Sequence, residues 1–495
     1  MKHLFRKKTL AVLLEEVQGE NRLKRILGPV ALTSLGVGAI IGTGIFVLIG
    51  VAAHDKAGPA VTLSFAIAGL ACIFAALCYA EFASMAPVAG SAYTYAYATL
   101  GELFAWIIGW DLILEYAVAS ATVAHGWSHY FQDFIGIFGL GVPELLSRAP
   151  LDFDPATGML TGTGALFDLP AVVITAIVTT VLVKGIRESS GFNTAMVVIK
   201  VAIVLLVIVL GAMYVNPANW QPFAPFGYSG FSIFGRTVLG EVGAGGAPVG
   251  VLAGAAMIFF AYIGFDSIST HAEEAINPQR DVPIALIASL VICTILYIAV
   301  ATVITGMVPY DQINIDAPVS NAFKQVGIGW AQFLVSLGAI TGITSVLLVM
   351  MLSQPRIFLA MARDGLLPKN VFGAIHEKYR TPWKSTILTG VFVSILAAFL
   401  PLRLLAELVN IGTLFAFVVV CAAVLIMRKK HPEAHRPFRA PLVPFVPLAG
   451  IFTCLLLMFS LPAENWVRLI AWLLIGLCIY FFYGRRHSEL RRQQQ

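Results

Sequence analysis

Charged residues are scarce in this sequence. Asp, Glu, Lys and Arg make up 12% of its 495 residues, whereas apolar residues make up 58% and the mean hydropathy is +0.85. A soluble domain carries roughly a quarter charged residues. The scarcity therefore excludes a chain of soluble domains and indicates one that buries most of its residues in a membrane.

Cysteines at CxxC spacing and metal-ligand clusters are also missing from the sequence. The six cysteines fall in apolar stretches and none stands at CxxC spacing, so we expect buried side chains rather than disulfides or metal ligands. The first 25 residues are basic and polar, so no cleavable signal peptide is expected. The loops are short, and the sequence has no nucleophile or metal motif. We therefore expect neither an enzyme nor a nucleic-acid-binding protein, and we expect no cofactor.

Long apolar runs are what the sequence has in abundance. A membrane-spanning helix needs roughly twenty mostly apolar residues. The runs predict an all-α transmembrane protein with twelve spans. They lie at about 31–52, 60–84, 102–131, 169–186, 193–215, 251–271, 283–308, 330–360, 383–401, 404–427, 444–461 and 466–483.

The distribution of Lys and Arg predicts how these spans are oriented. With twelve spans, 25 of the 32 basic residues fall on the side of both termini and 6 on the other side, and Lys200 alone lies within a span. Cytoplasmic segments of membrane proteins carry the excess of Lys and Arg. We therefore expect a multi-pass protein of the cell membrane with both termini in the cytoplasm.

Two spans contain features that weaken a helix in mid-membrane. The first reads GVGAIIGTGIF, with four glycines within nine residues, and each glycine costs a helix about 1 kcal/mol relative to alanine. This density favours a break, although Gly38 and Gly42 alone would also fit a GxxxG packing face. The sixth span has Gly264 at its centre, followed by Asp266 and several hydroxyls.

The two interruptions occupy equivalent positions in two five-helix units. Such matched breaks indicate a binding site at the middle of the membrane in inverted-repeat transporters. Unwound backbone exposes N–H groups that attract an anion and carbonyl groups that attract a cation. A zwitterion satisfies both, and an α-amino acid is the simplest biological solute with that charge pattern.

These stretches resemble a known family. GVGAIIGTGIF in the first span, CYAEFASMAPVAGSAYTYAYATLGELFAWIIGWDLILEY across spans two and three, FFAYIGFDSISTHAEEAINPQRDVPIAL from span six, ARDGLLP and NIGTLFAF are similar to motifs of the amino acid–polyamine–organocation superfamily. Within it, the chain resembles the bacterial relatives of the cationic amino acid transporters. The resemblance runs from about residue 36 to residue 417.

The resemblance implies the LeuT-type fold, with two inverted five-helix repeats, discontinuous helices 1 and 6, and two further helices. It also implies secondary transport of amino acids. The domain boundaries that we expect are 1–30 for a cytoplasmic segment, 31–215 and 251–427 for the two repeats, 444–484 for helices 11 and 12, and 485–495 for a cytoplasmic tail.

The same resemblance implies a substrate site. The substrate carboxylate would meet the residues of the first break, Ile41, Gly42, Thr43 and Gly44. Its ammonium group would meet carbonyls near Ile40, Phe260, Ala261 and Ile263, and Phe260 would act as a gate. In proton-coupled relatives a lysine of the fifth span occupies the place of a sodium ion, and Lys200 matches that lysine.

Ionisable residues inside the membrane are candidates for proton coupling. Lys200 either fulfils this role, because burial disfavours the charged ammonium, or extends its long stem to the membrane edge. Glu115 lies one helical turn after Asp111, and this like-charge pair favours retention of a proton on Glu115; alternatively, Asp111 lies near the interface and faces water. Asp266 is expected to cap the helix that follows the sixth-span break or to take part in a gate.

Span three also carries two histidines one helical turn apart. His125 and His129 share one helical face near the outer end of span three, which favours a solvated pair over a metal site.

The leading hypothesis is proton-coupled uptake of L-amino acids by alternating access. The alternatives are a sodium-independent exchanger, a channel, and an amino acid sensor that transports nothing. The lack of an extra acid beside the ammonium position favours neutral or varied substrates. The oligomeric state is left open.

Overall fold

The structure is a computed structural model, and it is almost entirely helical. It describes residues 6–8, 25, 27–86, 88, 90–153, 159–185, 189–243, 246–379 and 381–492. Most of the predicted segment 1–30 and the end of the segment 485–495 therefore lie outside the described residues.

Fifteen helices of the described chain build the fold and position its centre. Between α1 and α2, the chain forms a π-helical turn Gly44–Leu48, an α-helical turn Ile49–Ala52 and a second π turn Ala53–Ala57. The fifteen are α1 Pro29–Ile40, α2 Val61–Met85, α3 Ser91–Thr99, α4 Glu102–Gly136, α5 Leu169–Lys184, α6 Ser189–Ala212, α7 Val251–Ile258, α8 Ser267–Thr270, α9 Pro278–Met307, α10 Pro318–Gln325, α11 Gly329–Arg363, α12 Trp383–Phe399, α13 Leu402–Lys430, α14 Phe445–Ser460 and α15 Ala463–Ile479.

The long helices are apolar enough to cross a membrane. Eight helical stretches among the described residues have the length and composition of membrane spans, and four shorter apolar helices accompany them. The shorter four are α1, α5, α12 and α14. The chain is therefore a multi-pass α-helical membrane protein, as the sequence predicts. The exact number of twelve crossings stays a prediction.

Local sequence signals begin several of these helices. Proline occupies one of the first positions of α1, α5, α9 and α10, where the missing N–H group has no intrahelical partner in any case. Asp168 precedes α5 and its Oδ1 accepts a hydrogen bond from the backbone N–H of Ala171 at 3.0 Å. This bond satisfies one of the unpaired donors at the helix start.

The helices pack around α4, which is the most central. α4 contacts α3, α5, α11, α12 and α13. Extensive pairings include α2 with α9, α4 with α11, and α5 with α12. Helices α6 and α15 are peripheral, with only a minor share of their surface buried inside the protein.

Two small hairpins lie in loops, one between α4 and α5 and the other between α6 and α7. β1 (Leu151–Phe153) pairs antiparallel with β2 (Leu160–Gly162), and β3 (Phe231–Ile233) with β4 (Arg236–Leu239). The second hairpin attaches to the end of α14, because the Phe234 N–H donates to the carbonyl of Phe459 at 3.0 Å. The sequence analysis predicted an all-α protein and therefore no strands.

A buried ion cluster holds the ends of α2 and α13 together. Glu81 is 2% exposed, and its carboxylate accepts two hydrogen bonds from the Arg428 guanidinium, at 3.0 and 2.6 Å. The Nε of Arg436 lies 3.3 Å from the same carboxylate, and the N–H of Ala440 donates to it at 2.8 Å. The cluster thereby anchors the segment that connects α13 to α14.

We predict that Glu81→Gln lowers the stability of the protein by about 2–4 kcal/mol, because two guanidinium groups lose the charge that compensates them. Thermal unfolding of the detergent-purified protein would show this as a lower melting temperature. Glu433→Gln is the control, because Glu433 forms an exposed pair with His431 and its replacement should leave the melting temperature unchanged. Equal melting temperatures for the two variants would contradict the prediction.

Candidate functional site

The first predicted break is present at the expected residues. Helix α1 ends at Ile40, and Ile41 adopts an extended backbone with φ −73° and ψ 102°. Helical structure resumes at Gly44 in a π turn. All residues from Gly36 to Ala53 are buried, so the unwound backbone lies inside the protein rather than in lipid.

The second break follows the end of α7. A 3-10 turn covers Phe259–Tyr262, and Ile263 is extended with ψ 138°. Gly264 has a φ of +112°, which an L side chain rarely adopts, so glycine permits the reversal before α8 begins. The sequence analysis placed this interruption correctly, on the central glycine of the sixth span.

The two breaks contact each other directly. A Cβ atom on Gly44 would lie 2.3 Å from the Cα of Ala261 and 2.5 Å from its Cβ. Glycine is therefore required at position 44 for steric reasons. The approach brings the unwound backbone of the two interrupted helices into one place, as the matched glycines indicated.

Tyr297 of α9 joins the two breaks, and the sequence analysis missed it. Its hydroxyl lies 2.7 Å from the carbonyl oxygen of Ile40 and 2.9 Å from that of Ala261. It therefore supplies a donor to two carbonyls that lost their helical partners. These are two of the carbonyls that the resemblance assigned to the substrate ammonium.

A small cavity lies between the breaks, with room for about one water molecule. Six of the eight predicted substrate residues line it, namely Ile40, Gly42, Thr43, Gly44, Phe260 and Ile263. Ile41 and Ala261 adjoin it without lining it. The remaining lining residues come from the end of α1, from α4 and from α11, and they are Ala39, Ala119, Val123, Val346 and Met350.

Two features of this cavity bear on the groups that it accepts. The hydroxyl of Thr43 is buried and has no hydrogen-bond partner among the described residues. The Phe260 side chain is 5% exposed and lines the cavity, which fits the predicted gate in position. That either residue contacts a substrate stays a prediction.

Lys200 of α6 is buried against the first break. It is 0% exposed, and its Nζ donates to the carbonyls of Gly38 at 2.6 Å, Ile41 at 3.0 Å and Gly342 at 3.4 Å. The alternative, in which its stem reaches the membrane edge, is therefore wrong. The ammonium bridges α1 and α11, and its coupling role stays a prediction.

Acidic side chains gather on the other side of the centre, on α4 and next to α8. Asp111 and Glu115 are 0% and 2% exposed, and their carboxylates have no hydrogen-bond partner in the described part of the chain. The alternative that Asp111 faces water near the interface is therefore wrong. Glu115 interacts electrostatically with Asp111 and with Asp266. Its proton-handling role stays a prediction.

The expected capping role of Asp266 is not observed. The residue precedes α8, but its side chain makes no capping hydrogen bond to that helix within the described residues. Instead, its Oδ2 accepts a hydrogen bond from the hydroxyl of Tyr116 at 2.7 Å. The sequence pattern does not indicate this contact with Tyr116 of α4, which engages the carboxylate in place of the helix N-terminus. The gating role stays a prediction.

The histidine pair differs from the expectation. His125 is 3% exposed, and its Nδ1 lies 3.2 Å from Oδ2 of the fully buried Asp168. His129 is closer to the surface, 3.6 Å from Asp316. The pair is therefore not solvated as a unit. No group of three or more potential metal ligands occurs among the described residues.

A multi-pass helical protein whose two interrupted helices enclose a cavity belongs to the class of membrane transporters. The amino acid permease family model matches residues 27–482, and the chain belongs to this family. The resemblance to the amino acid–polyamine–organocation superfamily is thereby confirmed. The family points to a transporter rather than an enzyme.

Three relatives illustrate the similarity. The chain is 46% identical to a methylthioribose transporter of Bacillus subtilis (strain 168), over 99% of this chain and 100% of the relative. It is 47% identical to a branched-chain amino acid permease of the same organism, over 99% of each chain. It is also 33% identical to a vacuolar cationic amino acid transporter 4 of Arabidopsis thaliana, over 99% and 97%.

We predict that Gly44→Ala reduces transport at least about tenfold, because the new Cβ overlaps the backbone of Ala261 and overpacking of this kind costs roughly 1–3 kcal/mol. Uptake of a labelled amino acid by proteoliposomes would measure the loss. Gly136→Ala at the end of α4 is the control, since its Cβ would meet nothing within 4 Å. Full activity of Gly44→Ala would show that the two breaks separate freely.

Proposed function

We propose that this protein is a proton-coupled secondary transporter that takes up small, neutral, apolar L-amino acids by alternating access. The observation that carries the proposal is the meeting of two helix breaks around one enclosed cavity. Unwound N–H groups near Gly42 and carbonyls near Ile263 offer opposite partial charges on that cavity. An α-amino acid carries its carboxylate and ammonium groups close enough together to use both.

The proposal includes the LeuT-type architecture with two inverted repeats, at residues 31–215 and 251–427, followed by two helices within 444–484. Its support is the pairing of equivalent helices. In this division α2 corresponds to α9, α4 to α11 and α5 to α12, and each helix packs extensively on its counterpart. Such pairing is expected when a pseudo-two-fold axis relates two halves. The bias of basic residues supports cytoplasmic termini.

Proton coupling is proposed from Lys200. A fully buried ammonium costs several kcal/mol unless polar groups surround it. Here it meets only carbonyls, from the unwound end of α1 and from Gly342 of α11. Any movement that separates these two helices changes the number of carbonyls around the ammonium. Its protonation and the conformation of the protein are therefore linked. Glu115 is the second candidate proton carrier.

The substrate class is proposed from the cavity lining. The side chains that would surround a substrate side chain come from Ala119, Val123, Val346 and Met350, all apolar. A guanidinium or ammonium buried among them would have no compensating charge. Methylthioribose, which the name of one relative gives, would bring several hydroxyls, whereas Thr43 supplies the only side-chain hydroxyl among the lining residues. The second relative's name, a branched-chain amino acid permease, fits the apolar lining.

We predict that Lys200→Met abolishes accumulation driven by a pH gradient while amino acid binding remains within about tenfold of the wild type. The substitution keeps the apolar stem and removes the ammonium. Uptake into proteoliposomes with an imposed pH gradient measures coupling, and equilibrium binding measures affinity. Lys324→Met, an exposed lysine of α10, is the control and should behave as the wild type.

Two outcomes would contradict the coupling proposal. One is wild-type pH dependence of uptake in Lys200→Met. The other is uptake by the wild type that follows a sodium gradient and ignores a pH gradient. Exchange that requires substrate on both sides and ignores both gradients would instead favour a sodium-independent exchanger.

We predict that a binding screen across the common amino acids ranks alanine, valine and leucine at least about tenfold above arginine and lysine, because an uncompensated buried charge costs more than 1.4 kcal/mol. Methylthioribose, added as a competitor, should bind more weakly than leucine. Equal binding of arginine and leucine would contradict the neutral-substrate proposal without affecting the proposal of transport.

A further inference from the structure

The chain beyond α15 folds back onto the loop that follows α11. After a π turn at Tyr480–Gly484, residues 485–492 form two short helical turns, Arg485–His487 and Glu489–Arg492. We call residues 485–492 the clasp segment. The N–H of Glu489 donates to the carbonyl of Asp364 at 3.0 Å, and the Nζ of Lys369 donates to the carboxylate of Glu489 at 2.5 Å.

The clasp segment also holds the start of α4. Ser488 is 1% exposed, and its hydroxyl donates to Oε2 of Glu102 at 2.5 Å. Glu102 is the first residue of α4 and is fully buried. Its other carboxylate oxygen accepts from the Tyr480 hydroxyl at 2.7 Å. One short segment therefore ties the first residue of α4 to the residues that directly follow α11.

Gly365 makes this docking possible. It follows α11 with a φ of +76°, and a Cβ atom there would lie 2.2 Å from the carbonyl oxygen of His487. The backbone of the clasp segment lies directly against this glycine. A larger residue at position 365 would displace the segment, because the atom that it meets belongs to the backbone and cannot move away by a change of side-chain rotamer.

Other parts of the chain converge on the same place. The carboxylate of Asp364 accepts from the hydroxyl of Tyr93 on α3 at 2.5 Å and from Nζ of Lys8 at 2.9 Å. The clasp segment thus completes a junction of α3, α4 and α11 on one face of the protein. Ser488, Glu102 and Tyr93 are all buried, so the junction is an internal contact rather than an exposed ion pair on the surface.

The junction is connected to the cavity through two long helices, α4 and α11. Ala119 and Val123 of α4 line the cavity from one side, and Val346 and Met350 of α11 line it from the other. Opening of the cavity toward the face that carries the junction requires these helices or α3 to separate there. The hydrogen bonds of the clasp segment oppose that separation.

We propose that the clasp segment is a restraint that regulates access to the cavity from this face, so that undocking it favours opening. Its mechanism depends on the alternating access proposed above, but not on proton coupling or on the substrate class. Docked, the segment holds α4 against α11 and keeps the cavity closed. When the segment undocks, the contacts of Asp364 with α3 and with Lys8 remain at the junction.

The test uses a pair of matched glycine substitutions. Gly365→Ala places a Cβ on the clasp backbone. Gly327→Ala is the control, because Gly327 also follows a helix with positive φ, +80°, but its Cβ would meet nothing within 4 Å. Both variants carry the same backbone strain, and only one meets the clasp segment. Ser488→Ala, which removes a single hydrogen bond without a steric conflict, is the second test variant if Gly365→Ala does not fold.

Two measurements on each variant address docking and access separately. Amide hydrogen exchange over residues 485–492 reports docking. The rate at which a membrane-impermeant thiol reagent modifies an added Ala119→Cys, applied from the face that carries the clasp segment, reports access to the cavity. The parent without this cysteine is the blank. Neither measurement needs a transported substrate.

We expect Gly365→Ala and Ser488→Ala to accelerate both amide exchange and cysteine modification roughly fivefold, the effect of about one net hydrogen bond, and Gly327→Ala to change neither. Faster amide exchange with unchanged or slower modification would overturn the proposal, because the undocked segment would then not restrain access. Unchanged amide exchange in both test variants would overturn it as well. A complete lack of modification in every variant would contradict alternating access itself, and the clasp with it.

Discussion

Backbone groups that lack helical partners inside a membrane protein constrain this structure more than any other feature. Two helices are interrupted near its centre, and each interruption leaves N–H and carbonyl groups that lipid cannot satisfy. The breaks therefore face each other and share partners. The hydroxyl of Tyr297 contacts one carbonyl of each break, and the ammonium of Lys200 donates to two other carbonyls of the first break. The packing of α6 and α9 against α1 follows from this need.

The close approach of the breaks also determines the character of the cavity. Gly44 lies against Ala261 with no room for a side chain, so the backbone of both helices forms part of the cavity wall. The remaining wall comes from helices α4 and α11, which contribute apolar side chains. Polarity is thus concentrated at the unwound backbone and at Thr43. A solute whose charges are close together and whose side chain is apolar matches this separation.

Much of this arrangement was predictable from the sequence, because its signals are local. Apolar runs located the long helices, and dense or central glycines located both breaks. Signals that depend on distant neighbours were missed. Nothing near Tyr297 indicates that its hydroxyl reaches two other helices, and His125 was expected in solvent because its partner, Asp168, is 43 positions away. Short helices such as α3 and α10 lack the twenty apolar residues that mark a span, although α3 is almost entirely buried.

The distribution of buried charge links the two halves of the proposed mechanism. Lys200 lies on α6 beside the first break, whereas Glu115 lies on α4 near Asp266, just after the second. The lysine is surrounded by carbonyls of α1 and α11, so its environment changes when these helices move. The acid has no hydrogen-bond partner in the described chain, so a proton is the simplest group that would neutralise it. In the proposed mechanism, Lys200 senses helix position and Glu115 stores a proton without a fixed counter-ion.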